Sequence, residues 1–112
     1  MKTRGTNISM TRGDSESLTL RCKKNGGTVP FADGDTVTFT VREDAESPIQ
    51  LQKVITTFDE EGRAVIPILP GDTEGMDFGS YVYDIQITWA DGTVKTPVTV
   101  SGFELTEEVT YG

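Results

Sequence analysis

Phe78-Gly-Ser-Tyr-Val-Tyr-Asp-Ile-Gln-Ile-Thr-Trp89 runs through Ala90-Asp-Gly-Thr93 into Val94-Lys-Thr-Pro-Val-Thr-Val100. Tyr81, Tyr83, Ile85, Ile87 and Trp89 recur at every second position, with Val82, Asp84, Gln86 and Thr88 between them. A period of two predicts a long strand with one face in a core. Asp91-Gly92 supplies the residues that tolerate positive φ in a tight turn. Val94, Val98 and Val100 continue the alternation on the way back. Residues 79–101 are therefore expected as a long β-hairpin around which the other strands pack.

The same period marks those other strands. Leu18, Leu20 and Cys22 alternate with polar residues, and Val37, Phe39 and Val41 alternate with threonines, which suit a solvated β face. Asn7 to Arg12 reads as a short strand with Ile8 and Met10 on one face. Asn25-Gly26-Gly27 reads as a turn, and residues 28–35 as a loop. Between Ile49 and Phe58 the apolar phase slips, so a bulge is expected near Gln52-Lys53. Ala64, Ile66 and Ile68 point inward, with Pro67 outward or on an edge. Gly102 is expected to break phase before Phe103 and Leu105. Pro70 to Asp77 holds the only helical turn, capped by Asp72 or Thr73.

The chain of 112 residues is expected to form a single domain, 1–112. The core should contain Leu18, Leu20, Cys22, Val37, Phe39, Val41, Ile66, Tyr81, Tyr83, Ile85 and Ile87. No run of eighteen apolar residues is present, so no membrane span is expected. The opening Met1-Lys-Thr-Arg-Gly-Thr lacks the apolar core of a signal peptide, and a lone cysteine fits a reducing compartment.

A net charge of −8 argues against nucleic acid or an anionic membrane as main partner. The charge is unevenly spread. Residues 1–24 hold six of the ten basic residues against two acids, leaving four basic residues against sixteen acids elsewhere. Two readings of this basic end stand: a solvated surface, or an edge that docks on an acidic face of another subunit through Arg4, Arg12, Arg21, Lys23 and Lys24. In the second, Asn7 to Arg12 is the edge strand, and it meets the 43–46 turn or the 104–108 tail of a neighbouring copy or of a different protein.

Catalysis finds little to stand on. The chain has no histidine, which removes His-dependent triads and imidazole zinc sites. Asp59-Glu60-Glu61 sits at a turn and reads as solvated. Asp33-Gly-Asp35 has two acids of a calcium loop without the terminal Glu, so calcium binding is left open there. Asp84 lies mid-strand opposite the aromatic face, as a solvated residue or as an acceptor for a neighbour. No enzyme activity, no cofactor and no small-molecule substrate are expected.

Two pieces resemble an immunoglobulin-type sandwich: Ser17-Leu-Thr-Leu-Arg-Cys22, and Asp77-Phe-Gly-Ser-Tyr-Val-Tyr83. The resemblance implies a structural corner of Asp77, Gly79 and Tyr81, with the Tyr81 hydroxyl bonded to backbone. Tyr83 stands where the pattern has its second cysteine, so Cys22 has no disulfide partner and is expected as an inert core thiol. Six to eight short strands with turn signals between them predict an all-β, antiparallel immunoglobulin-like β-sandwich of about seven strands.

The order of pieces across the whole chain resembles phage and prophage structural domains, similar to the N-terminal sandwich of baseplate upper proteins. The pieces are Gly13-Asp14, Gly34 to Val41, Pro70 to Thr73, Gly79 to Ile85, Asp91 to Thr96, Gly102 to Leu105 and Val109-Thr110. That resemblance implies a non-catalytic tail or baseplate component acting through protein–protein contacts. It would lie in the host cytoplasm before assembly and in the particle afterwards. The alternative is a cell-surface adhesion or carbohydrate-binding module.

Overall fold

A computed structural model describes residues 1–24 and 26–107, Lys24 through its backbone alone. In chain order the strands are β1 (Lys2–Arg4), β2 (Asn7–Thr11), β3 (Glu16–Leu20), β4 (Cys22–Lys24), β5 (Gly27–Val29), β6 (Thr36–Arg42), β7 (Ile49–Ile55) and β8 (Ala64–Ile68). A four-residue helix, α1 (Pro70–Thr73), follows, then β9 (Gly79–Thr88) and β10 (Val94–Thr106). One sheet runs β1-β2-β10-β9-β6-β7; β3 pairs with β8, and β4 with β5. The fold is the expected all-β sandwich, with three short ribbon strands, β1, β4 and β5, added to the expected set.

The β9–β10 hairpin lies at the centre of the large sheet. The Trp89 amide donates to Thr93 at 2.9 Å and the Gly92 amide to Trp89 at 2.8 Å, with Gly92 at φ 90°. Here the turn does require glycine, because few other residues reach that φ without strain. Every member of the expected core is buried except Leu18 and Leu20, which are half-buried against it. Phe39, Tyr83 and Phe103 form its aromatic centre, with ring centroids 5.3 to 6.4 Å apart in tilted and edge-on arrangements. Such geometry adds to the area term because each ring's positive edge meets another's negative face.

Several local expectations need correction. The bulge in β7 lies at Gln50, not at Gln52-Lys53, because Val41 faces Leu51 while Arg42 faces Ile49. Leu51 is thereby buried and Val54 exposed. In β10 the phase breaks before Gly102, between Lys95 and Val98 and again before Ser101. Val100 is consequently 59% exposed, while Phe103 and Leu105 are buried. Residues 27–29 are a strand, not loop, and Arg21 separates β3 from β4. In α1 the N-cap is Leu69; Asp72 sits three residues on and accepts the Leu69 amide at 2.7 Å. Thr73 is buried, its Oγ1 accepting the Gly13 amide at 2.8 Å.

The edge also moves. β2 pairs with β10 on one side, and β1 covers Asn7 to Ser9 on the other, so the first half of the expected edge strand is not an edge. Its pairing with β10 is parallel, Ile8 beside Phe103 and Met10 beside Leu105, an exception to the antiparallel rule elsewhere.

Two phenols lock the sandwich. Tyr81 donates its hydroxyl to the Asp77 carbonyl at 2.7 Å, and Tyr83 donates to the Thr6 carbonyl. Burial pushes both phenols above the ordinary tyrosine range, since the charged form loses hydration. The folded chain thus holds these protons more tightly than the unfolded chain, whose tyrosines titrate near 10. Stability from this source is complete below pH 10 and declines as pH rises above it. Urea unfolding midpoints measured from pH 8 to pH 11.5 are expected to fall above pH 10, and to fall less in Tyr83→Phe. An identical decline in both proteins would refute the assignment to Tyr83.

Candidate ligand-binding cleft

The second layer is narrow. Two strands, β3 and β8, face a sheet of six, so part of the β9–β10 hairpin has no strand above it. The result is a cleft of about 980 Å³ between β3, β4 and the hairpin tip. Leu20, Ile87, Trp89 and Val98 make its apolar floor, and Arg21, Lys23, Arg63 and Lys95 stand on its walls beside Asp91. A smaller hollow of about 200 Å³ continues it along β3 from Leu20 past Leu18 to Thr6, sharing Thr19, Leu20 and Val98.

Local sequence explains why these groups meet. Arg21 is exposed at the break between β3 and β4, and Lys23 points outward opposite Thr28 because Cys22 between them is buried. Lys95 is exposed at the first irregularity of β10. Arg63 is partly neutralised: its Nε lies 2.7 Å from the Asp59 carboxylate and its Nη1 3.5 Å from Glu61. Arg21, Lys23 and Lys95 have no ion pair among the described residues.

The hairpin tip that forms one wall is pinned by the loop before β6. Asp35 is buried, accepting the Ala32 amide at 2.9 Å and the Ala90 amide at 3.0 Å. Gly34 has φ 94°, and a Cβ there would stand 2.8 Å from the Ala90 side chain. Asp35 is therefore a backbone clamp and Asp33 is exposed. Among the described residues no three His, Cys, Asp or Glu side chains group to hold a metal ion.

The five basic residues singled out in the sequence part company. Arg21 and Lys23 line the cleft; Arg4 lies on β1 beside a separate shallow groove. Arg12 stacks over the Phe78 ring at 4.0 Å and donates to the Met76 carbonyl at 3.2 Å, so it braces the turn before β9. The Lys24 side chain lies outside the described residues, as do Asn25, the Val109-Thr110 pair and the end of the acidic tail. Asp84 is half-buried opposite Thr40 on the outer face of the sheet. Asp59 accepts the Glu61 amide at 2.9 Å and the Arg63 amide at 2.8 Å, making the acidic run a turn scaffold. Sequence reasoning missed Arg63 and Lys95, which lie far from the basic end and reach the cleft through pairing alone.

No protein-family model matches the chain, and no curated protein matches it. Among solved structures it is similar to CopC from Methylosinus trichosporium OB3b, at 11% identity and a TM-score of 0.52. The likeness covers 92% of this chain and 86% of that one. At this identity the similarity shows the fold, a β-sandwich. It also corrects the functional expectation of a tail or baseplate component, with its adhesion or sugar-binding alternative: the solved structure the chain resembles is a CopC, not a phage baseplate protein.

Proposed function

We propose that the protein is a binding module whose cleft between β3, β4 and the hairpin tip takes an anionic ligand. The observation that carries this is the gathering of three exposed cations, Arg21, Lys23 and Lys95, without ion pairs among the described residues, over an apolar floor. The chain as a whole carries −8, so this local reversal of sign is where an anion finds attraction instead of repulsion. Hydroxyls of Thr19, Thr93 and Thr96 add neutral donors, and the apolar floor supplies the contact area that exposed charges alone cannot. The role assigned is recognition without turnover.

Trp89, the only tryptophan, forms part of the floor and serves as the reporter. Titration with short polyglutamate at low salt is expected to change its emission. Charge reversal at all three positions, Arg21→Glu, Lys23→Glu and Lys95→Glu, should weaken binding at least tenfold, on the order set by three exposed ion pairs. Raising salt to 0.5 M should have a similar effect, because the screening length falls to a few ångströms. Equal titration curves for the wild type and the triple variant, or none with any polyanion, would overturn the proposal.

A further inference from the structure

The cleft has an unused strand edge along it. β3 pairs with β8 alone, in a regular register from Glu16 opposite Ile68 to Leu20 opposite Ala64, and no described strand lies on its other side. In a ladder with a single neighbour, alternate residues direct their N–H and C=O groups outward. The cleft and the smaller hollow that continues it lie along that open side, with Val98, Ile85 and Ile87 across the gap. A regular open edge is a ready template for pairing with another chain, and apolar surface beside it favours such an occupant.

The first part of β10, residues 94–101, pairs with β9 alone and is the rival edge across the cleft. It is the poorer template: two register shifts interrupt residues 95–101, and Pro97 offers no N–H. β3 has neither a bulge nor a proline.

Resting on the anionic-ligand reading, we propose that the ligand is an acidic polypeptide segment in extended conformation, which adds to β3 as a third strand of the small sheet. Its backbone pairs with β3 between Glu16 and Leu20. Alternate apolar side chains then fall on Leu18, Leu20 and Val98, the period of a strand matching the floor beneath. The end that passes beyond Leu20 meets Arg21, Lys23 and Lys95, so the acidic residues gather at that end. Backbone pairing supplies an affinity that tolerates many sequences, and the three cations set direction.

The test uses an eight-residue peptide alternating valine with small polar residues and ending in two glutamates. Two further versions carry N-methyl groups on one or the other alternate set of amides. The parent is expected to bind and change Trp89 emission. One methylated version should lose at least tenfold in affinity and the other should match the parent, because only one set of amides faces β3. Isotope-edited NMR should show slowed amide exchange for alternate residues within 16–20 on binding. If both methylated versions bind as the parent does, strand addition is wrong while the anionic cleft survives. If the peptide fails but a sulfated oligosaccharide or single-stranded DNA binds and loses affinity in the triple charge variant, the occupant is wrong and the cleft again survives. If nothing anionic binds, both readings fall together.

Discussion

Phe39→Ala is expected to destabilise the protein by about 3–5 kcal/mol, the cost of a large cavity at the best-packed point of a core. Phe39 is fully buried, and both of its aromatic neighbours, Tyr83 and Phe103, belong to the central hairpin. Val37 and Val41 hold the backbone of β6 between β7 and β9, so the sheet cannot collapse into the space left behind. Thermal unfolding should show a fall in midpoint on the order of 15 °C. Phe39→Leu keeps most of the volume and should lose much less, under about 2 kcal/mol. A loss below 1 kcal/mol for the alanine variant would mean that the three rings do not form the centre of the core.

Asp35→Ala should cost about 2–4 kcal/mol for a different reason. Its carboxylate satisfies two backbone amides, Ala32 in its own loop and Ala90 at the tip of the β9–β10 hairpin. Removal leaves both donors without their acceptor, and bonds to a charged acceptor are among the stronger ones. The variant is also expected to loosen one wall of the cleft, since the Ala90 contact fixes where Trp89 and Asp91 stand. Hydrogen exchange supplies the local readout: the amides of Ala32 and Ala90 should lose protection beyond the global change. Exchange that rises uniformly along the chain would show that the clamp is not local. Asp35→Asn retains one acceptor oxygen and should fall between the two.

Much of the architecture is written in the period-two runs. Val37, Phe39 and Val41 point inward because the threonines between them cannot, and no competing helical pattern exists. Bulge positions are harder. A phase change between Ile49 and Phe58 shows that a residue is inserted somewhere, but its place depends on the register with β6, which belongs to the pair and not to one strand. The β2–β10 pairing is equally hidden, because Ile8 and Phe103 are ninety-five positions apart and nothing local says that they run parallel. The cleft is hidden for the same reason. Arg21 and Lys23 could be picked out as part of a basic end, whereas Lys95 becomes their neighbour only through the hairpin. Arg12 was legible as a cation but not as a brace, since Phe78 reaches it only after the whole sheet has formed.

The parallel seam between β2 and β10 has a consequence for how the molecule comes into being. Ile8 is synthesised ninety-five residues before Phe103, the first residue of the segment that receives it, Phe103 to Thr106. At ordinary translation speeds β2 waits roughly 5–20 s for this partner. During that interval β6 with β7, and β4 with β5, can pair from neighbours close in sequence, while the apolar face of residues 8–10 stays uncovered. Closing the loop of more than ninety residues is then the step that topology makes slow. Mutations at Ile8 or Met10 should therefore slow folding more than they speed unfolding, because the contacts they weaken form in that slow step.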